Sequence, residues 1–546
     1  MFSRKGPLPV WAYLVALYAF ILVPIVRADR LYNDDLKRAL FGRTGWDSNG
    51  RPLTTLLMKL LQCYDHALVD IAPFTQMAAA AVLVFTGHRL AHRFSRAPSW
   101  TSALLVFPLG AQPFFLENLS YHFDALSMAL AVFFAVVPFI IDEPSRRAND
   151  ITMEQSGVLA VVHAQVESWE HRRRWSFWLG TLSLFACLNL YQPAANVALV
   201  LALLEAVLAM LDATPPASLA RSLGRRVAQV VLAAFSYEVT IGSHVNGWVR
   251  QKSVPVALDH LSQVTVNLHH FLGFILDSFH LQWWLYFGPV VAVMALVLIG
   301  VGLCYAWSFR RAWGARRTVL TASATCCMPF FAMITAFGPL LLLADPPVES
   351  RVFVGVGAVL AAGLLILDSA ARQWRWSSRW SIAAATMLAI GMSVIASAYG
   401  NALAAQKAFE EHTARQLADD LAASGANSPF QSVLLAGSTG YAAQTAHIIE
   451  EFPLIRSLVP PYIDGTDSFH THIFLLHFLP EFDDLRLSDR EDLQATKTRL
   501  IDAACQAKPE HVRSTYWQYR VDATVVVLFG DARSRPCEVI SHAMAR

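Results

Sequence analysis

Two adjacent carboxylates, Asp34 and Asp35, follow the first apolar run of the sequence, and Arg51 lies downstream in the same polar stretch. A carboxylate can accept the proton of an attacking hydroxyl group, and an arginine can bind a phosphate through two hydrogen bonds. One residue of the run Asn33-Asp34-Asp35 could instead cap a helix that ends at Gly42. A cap needs only one side chain, so the second carboxylate stays a candidate for chemistry.

A second polar cluster, "FFLENLSYHFDALSM", interrupts apolar sequence and contains Glu117, Tyr121 and Asp124. An ionised carboxylate costs about 2.5–3.5 kcal/mol near the centre of a bilayer, so these groups are expected to face a wet cavity. Asp124 could alternatively cap a helix. Glu117 has no comparable structural explanation.

Two further stretches contain candidate ligand-binding side chains. In "NLYQPAAN", Tyr191 and Gln192 could bond sugar hydroxyls or simply satisfy the backbone of a turn. In "ADPPVESRVF", Arg351 could hold a phosphate bidentately. The histidines of the sequence have no spacing typical of a metal site.

The composition indicates an integral membrane protein. The 546 residues are 55% hydrophobic and 15% charged, with a mean hydropathy of +0.41, whereas soluble domains are about 25% charged. The net charge of +2 gives no reason to expect nucleic acid as a partner.

Eleven apolar runs are long enough to predict membrane-spanning helices. The runs are 8–27, 69–88, 101–117, 122–141, 176–191, 194–211, 227–246, 284–307, 318–343, 352–371 and 381–399. Arginines collect after every second run, which predicts a cytoplasmic N-terminus and an external C-terminal region. The first run exceeds a typical signal-peptide core of about 7–15 residues, so we expect it to be retained.

The predicted fold is an all-α polytopic membrane domain over residues 1–399, with about eleven spans, followed by a small α/β domain over residues 400–546. In the second domain, "SVLLAG" and "TVVVLFG" predict buried strands, and "DREDLQATKTRLIDAACQ" predicts a helix. A helix over "KAFEEHTARQLADDLAAS" is expected to join the two domains and to end at a Ser-Gly-Ala-Asn turn. If this domain is exported, Cys505 and Cys537 are candidates for a disulfide.

Carboxylates, aromatics and arginines are thus predicted on one outer face, which suits a substrate with a phosphate head and an apolar tail. Sugar transfer from a polyprenyl-phosphate donor needs a proton acceptor and cations, but no general acid, because the leaving phosphate is already ionised. The competing hypotheses are a transporter or flippase of a lipid-linked saccharide and a ligand sensor. Few charged residues lie within the predicted spans, Glu205 and Glu238 among them, and this is fewer than a transporter is expected to show.

Three stretches resemble the bacterial O-antigen glucosyltransferase family of Gtr type, within the GT-C superfamily: "NDDLKRALFGRTGWDSNGRPL", "ENLSYHFDALSMAL" and "LYQPAANVALVLALL". The resemblance implies transfer of a sugar, typically glucose, from undecaprenyl phosphate, with inversion. The implied acceptor is a lipid-linked or exported polysaccharide, such as the O-antigen of lipopolysaccharide. The implied location is the bacterial inner membrane, in contact with membrane lipid, with the C-terminal domain in the periplasm.

The resemblance also implies roles for individual residues. Asp34 or Asp35 would be the base, or in some branches a group that binds a divalent metal, Mg²⁺ or Mn²⁺. We favour Asp34 as the base and Asp35 as the residue that supports the helix. The reverse order is the alternative. The remaining roles fall into two groups: Arg51 and Arg351 would bind the donor phosphate, and Glu117, Tyr121, Asp124, Tyr191 and Gln192 would contact sugar or acceptor.

Overall fold

The computed structural model describes residues 8–63, 67–95, 97–141, 158–252, 254–427, 430, 432–464, 468–479 and 491–530. The chain divides into two compact units. The first unit comprises Met1–Val26 and Thr44–Ser397, and the second comprises Arg27–Arg43 and Ala398–Arg546. The segment with Asp34 and Asp35 therefore groups with the C-terminal residues, whereas the sequence-based division kept it with the spans.

Helices dominate the described residues. In chain order they are α1 (Val10–Ala28), α2 (Asp34–Phe41), α3 (Pro52–Gln62), α4 (Phe74–Phe94), α5 (Trp100–Val106), α6 (Pro108–Ala111), α7 (Leu116–Ser120), α8 (Ala125–Ile140), α9 (Val158–Leu190), α10 (Ala195–Leu211), α11 (Pro216–Thr240), α12 (Gly247–Lys252), α13 (Ser262–Asp277), α14 (Leu281–Ser308), α15 (Arg310–Cys326), α16 (Met328–Phe337), α17 (Val354–Gln373), α18 (Arg379–Asn427), α19 (Ala443–Glu451), α20 (Leu454–Leu458), α21 (Ser468–Leu476) and α22 (Glu491–Gln506).

Five helices in the described part of the chain are long and apolar enough to cross a membrane, or six if the bent pair α15 and α16 counts as one span. The five are α1, α10, α14, α17 and α18. The count of eleven is not confirmed. The predicted run 101–117 is broken into α5, α6 and α7, because Pro108 and Pro113 each begin a new helical turn, and α8 has only 16 residues.

The polar cluster between α6 and α8 lies in the core of the first unit. Every residue from Leu105 to Ala129 is buried, and α8 packs between α4 and α9. The sequence predicted that these polar groups face a wet cavity, and the structure buries them among the short helices. These groups therefore require hydrogen-bond partners within the protein.

Two glycines allow the first turns of α17 to contact neighbouring backbone. A Cβ at Gly355 would lie 2.2 Å from the carbonyl oxygen of Ala336, and one at Gly357 would lie 2.6 Å from that of Pro108. Such distances are far below van der Waals contact, so only glycine permits this approach. The close packing fixes the backbone just after Arg351.

Helix α3 begins at Pro52, a residue that is favoured at the first position of a helix. Thr54 and Thr55 are buried, whereas Leu56 and Leu60 are 51% and 66% exposed. These two leucines therefore face outward, as expected for a helix that lies at a membrane interface.

The second unit contains a four-stranded sheet in the order β1-β4-β3-β2. The strands are β1 (Ser432–Gly437), β2 (His511–Val512), β3 (Tyr516–Val521) and β4 (Thr524–Phe529). Strands β1 and β4 are parallel, and the other pairs are antiparallel. The two predicted strands and the predicted helix α22 are confirmed, whereas the predicted Ser-Gly-Ala-Asn turn is wrong because α18 continues to Asn427.

Alternate residues of the central strands pack on opposite faces of this sheet, as strand geometry requires. On one face, Val433 and Val525 belong to a core with Leu417 of α18. On the other face, Leu434 belongs to a core with Ile501 of α22. The disulfide predicted between Cys505 and Cys537 involves a residue outside the described ranges and stays a prediction.

Glu205 is bound by two arginines inside the first unit. Arg226 donates from Nε to Glu205 Oε2 at 2.8 Å, and Arg93 donates from Nη2 to Glu205 Oε1 at 3.1 Å. The same arginines donate to backbone carbonyl groups near the end of α8, at Pro138 and Phe139. This network connects α4, α8, α10 and α11, so the charge of Glu205 has a structural role.

We expect Glu205→Gln to lower the free energy of unfolding by about 3 kcal/mol, because it leaves two partly buried arginines without a countercharge. Thermal unfolding of the detergent-solubilised protein measures the change. Glu238→Gln, on an exposed position of α11, is the matched control and should have little effect. Equal stability of the two variants would contradict the structural role.

Candidate active site

The backbone of Arg351 is held by three buried side chains of the first unit. Its N–H donates to Glu117 Oε2 at 2.8 Å. Its carbonyl oxygen accepts hydrogen bonds from the Tyr191 hydroxyl at 2.8 Å and from Asn118 Nδ2 at 3.3 Å. The sequence predicted that Glu117 and Tyr191 contact sugar, and the structure gives both of them a direct contact with Arg351.

The guanidinium group of Arg351 lies among groups that favour its positive charge. Nη1 donates to the Tyr121 hydroxyl, and Nη2 pairs with Glu349. Nε lies 3.9 Å from Glu117 Oε1. Burial would lower the pKa of Arg351, but Tyr121 and the two carboxylates more than offset this, and the pKa is raised. Arg351 therefore stays cationic while its side chain remains 28% exposed.

Glu117 is a carboxyl group that titrates near neutral pH. It lies in α7, which is outside the helices able to span a membrane. Burial raises its pKa to about 7, with a further increase from Glu349, although the charge and the backbone N–H of Arg351 act in the opposite direction. A carboxylate with this pKa can exchange a proton at physiological pH.

Arg51 lies against the ring of the same Tyr191 that holds Arg351. Its guanidinium carbon is 4.7 Å from the centroid of the Tyr191 ring, which is a cation–π distance. Nε donates to Gln192 Oε1 at 3.3 Å, and Nη1 lies 3.9 Å from Asp124 Oδ1. The structure thus brings the two predicted phosphate-binding arginines to one tyrosine.

Two partners of this site were not recognised in the sequence. The buried Trp46 donates from Nε1 to Asp124 Oδ1 at 2.7 Å, so Asp124 receives a hydrogen bond as well as facing Arg51. His122 Nδ1 lies 2.7 Å from Asp70 Oδ2. Trp46 and His122 stand in the polar stretches that drew attention, but their partners are distant in the sequence, so no local pattern could identify the pairs.

Asp34 and Asp35 lie in the second unit and have different surroundings. Asp35 is buried, and its Oδ2 accepts a hydrogen bond from the backbone N–H of Tyr32 at 3.3 Å. The side chain of Asp34 is 57% exposed and lies 3.7 Å from Arg38. Asn33 occupies the N-cap position but makes no side-chain cap hydrogen bond. Asp35 thus contacts the backbone just before α2, whereas Asp34 pairs with a residue one turn later in the same helix.

A buried ion pair fixes the segment that leads into α2. Arg30 Nη2 donates to Glu410 Oε2 at 2.9 Å and to the carbonyl oxygen of Pro460 at 2.7 Å. The Arg30 guanidinium carbon is 4.0 Å from the centroid of the Tyr462 ring, and the Tyr462 hydroxyl donates to the carbonyl oxygen of Leu31. Gly42, with φ of 62°, ends the helix as predicted.

No group of three or more His, Cys, Asp and Glu side chains with the arrangement of a metal site is found within the described ranges. The residues that could supply oxygen ligands, Asp34 and Asp35, point to different environments. The predicted use of Mg²⁺ or Mn²⁺ stays a prediction.

A model of the family described as Glucosyl transferase GtrII matches residues 23–362, which is more than half of the chain. The chain belongs to this glucosyl transferase family. The match includes α2, α3, the buried polar cluster and Arg351, and it confirms the resemblance drawn from the three sequence stretches. Membership of the GtrII family supports a glycosyltransferase, and the apolar helices are compatible with a membrane protein.

The GtrII-family chain is also similar to a phage protein. An uncharacterized 55.3 kDa protein in the gtrB 5′ region of Salmonella phage P22 is 22% identical over 459 residues, which cover 83% of this chain and 86% of that protein. No solved structure matches the chain.

If the carboxylate form of Glu117 is needed for transfer, activity should rise as the pH is raised through about 7. The direction follows because the carboxyl group has a raised pKa and is protonated below it, when it neither pairs with Arg351 nor accepts a proton. A pH profile of kcat/KM for the wild type and Glu117→Gln measures this, with Asp277→Asn as an exposed control. If the pH profile of kcat/KM for Glu117→Gln keeps the inflection near pH 7, the titrating group is not Glu117.

Tyr191→Phe should lower kcat/KM about threefold to tenfold, because it removes one hydrogen bond to the backbone of Arg351 while keeping the ring beneath Arg51. Tyr305→Phe is the matched control: its hydroxyl also donates to a backbone carbonyl, that of Thr214, at 2.9 Å. We expect Tyr305→Phe to leave kcat/KM unchanged. A loss of the same size in both variants would point to a general effect on folding.

Proposed function

We propose that this protein transfers glucose from a polyprenyl-phosphate donor, such as undecaprenyl phosphate glucose, to an O-antigen or another cell-surface glycan. The proposed reaction takes place with inversion on the periplasmic face of the bacterial inner membrane. The observation that supports it most directly is the pair of arginines, Arg51 and Arg351, that share Tyr191 within a unit of apolar helices.

The two arginines have the properties needed to bind a phosphate head group. Their side chains are 23% and 28% exposed, so a ligand can reach them. The carboxylate of Asp124 lies 3.9 Å from Arg51, and that of Glu117 lies 3.9 Å from Arg351, which are ion pairs rather than hydrogen bonds. Arg351 Nη2 also pairs with Glu349 at 2.5 Å. A guanidinium group has five N–H donors, so phosphate oxygens can be bound alongside these neighbours.

The proposed transfer forms a bond between the acceptor oxygen and the anomeric carbon and breaks the bond from that carbon to the phosphate oxygen. The phosphate leaves with the electron pair, and its negative charge is stabilised by Arg51 and Arg351. The proton of the acceptor hydroxyl passes to a carboxylate. We assign this role to Asp34, which is exposed, whereas Asp35 is buried and bound to backbone; Glu117 is the second candidate because of its raised pKa.

Contacts with the sugar and the acceptor are proposed for the polar groups beside the arginines. Gln192 contacts Arg51 and also donates to the Tyr237 hydroxyl at 2.8 Å. Tyr121 and Asp124 each face one of the arginines. These groups supply hydroxyl, amide and carboxylate partners of the kind that bind sugar hydroxyls.

The transporter hypothesis has less support. Membership of a glucosyl transferase family favours group transfer. Glu205, a charged residue within a predicted span, is bound by Arg93 and Arg226 and has a structural explanation.

Reconstitution in liposomes with radiolabelled polyprenyl-phosphate glucose and a lipid-linked glycan tests the proposal. Asp34→Asn should lower kcat about 10²–10⁴-fold, the contribution typical of one positioned base. Asp35→Asn should act mainly on stability, and Asp502→Asn, exposed in the same unit, should leave both unchanged. A parallel assay with a chelator shows whether Mg²⁺ or Mn²⁺ takes part.

Two results would contradict these assignments. Full transfer by folded Asp34→Asn and Asp35→Asn would exclude both as the base and leave Glu117→Gln as the variant that decides. Movement of labelled lipid across the bilayer without any transfer of glucose would contradict the glycosyltransferase hypothesis and favour the flippase hypothesis.

A further inference from the structure

An apolar groove runs along four helices of the first unit. Its walls come from α10, α14, α16 and α17. Representative lining residues are Leu203, Ala295, Leu298, Ala332, Val359 and Ile366. The lining side chains are all apolar, and Val291 at the edge is 42% exposed, so the groove is open to the outside of the helix bundle.

Two of the helices that line the groove begin next to the candidate active site, where Arg51 and Arg351 lie. Helix α10 follows the turn that contains Gln192, and α17 begins three residues after Arg351. The two helices pack against each other, and the turn before α10 also contacts α17. The hydrogen bond from Tyr191 to the carbonyl of Arg351 joins the two chain segments just before the helices start.

The distance from the site to the groove follows from helix geometry. With a rise of about 1.5 Å per residue, Val359 lies about 7 Å along α17 from its first residue, and Ile366 lies about 18 Å along it. On α10, Leu203 lies about 12 Å from the first residue. The groove therefore continues, along the same two helices, from the end that carries the cationic groups.

The geometry points to a binding site for the isoprenoid tail of the phosphate donor in this groove, an inference that rests on the proposed function. A molecule with its phosphate at Arg51 and Arg351 would have its hydrocarbon chain directed along α10 and α17. Lipid is as apolar as the groove, so burial there adds little hydrophobic free energy. The groove instead orients the tail through packing contacts, which a misplaced side chain can block.

Gly363 contributes to the shape of this groove. A Cβ at this position would lie 2.7 Å from the sulfur of Met294, which also lines the groove. The absence of a side chain on α17 allows Met294 of α14 to lie close to it.

The test compares donors with a long and a short tail. Ala295→Trp and Leu203→Trp place bulk in the groove from two different helices, and Leu296→Trp is the matched control, because Leu296 is adjacent in sequence but 66% exposed. KM and kcat are measured with glucosyl phosphates of a polyprenol with many isoprene units and of an alcohol with a single unit. Thermal unfolding confirms that each variant is folded.

We expect each groove variant to raise KM for the long-tail donor at least tenfold and to leave KM for the short-tail donor within twofold. Leu296→Trp should leave both unchanged. Unchanged KM for the long-tail donor in a folded groove variant overturns the tail site and indicates that membrane lipid or nothing specific occupies the groove. Equal losses for both donors also overturn it.

Failure of the proposed function gives a different result. If the wild type transfers glucose from neither donor, the function is wrong, and the tail site is rejected with it. If the wild type uses both donors and the groove variants do not distinguish them, only the tail site is rejected.

Discussion

The hydrogen bond from the backbone N–H of Arg351 to Glu117 is the contact on which the candidate active site depends. It joins two residues that are 234 positions apart in the chain. A buried carboxyl group without partners would be costly. Here Glu117 has two partners on one residue, the backbone N–H and the guanidinium group of Arg351. The carboxylate thereby satisfies the backbone at the start of α17 and also supports the charge of the guanidinium group. The surrounding packing, including the glycine contacts of α17, keeps both partners in place.

Local features of this fold could be predicted from the sequence. The limits of α2 and the start of α3 follow from Gly42 and Pro52, and the two buried strands follow from runs of β-branched and apolar residues. The residue types that suit a phosphate head group were also recognisable, because arginine in apolar surroundings is unusual. Those inferences use neighbours in sequence, where propensity and capping operate.

Long-range features were not predictable in the same way. Hydropathy treats residues 101–117 as one span, but Pro108 and Pro113 divide it, and the polar residues that follow are buried in the core. A polar stretch between apolar runs suggests contact with water unless its partners within the protein are known. The partners of Glu117, Asp124 and His122 come from other parts of the chain, and one sequence does not contain that pairing information. The grouping of Arg27–Arg43 with the C-terminal unit depends on the same kind of distant contact, the Arg30–Glu410 pair.

The sharing of Tyr191 by two arginines has a consequence for how such enzymes can be recombined. Its ring faces Arg51, its hydroxyl reaches the backbone of Arg351, and Glu117 holds that backbone from the other side. Four separate stretches of sequence are therefore joined by direct contacts and depend on one another for their positions. A chimera that takes just one of these stretches from another family member inherits contacts without their partners, whereas exchange of all four together preserves the geometry. Functional modules in this chain are thus defined by contact in space and not by contiguous segments.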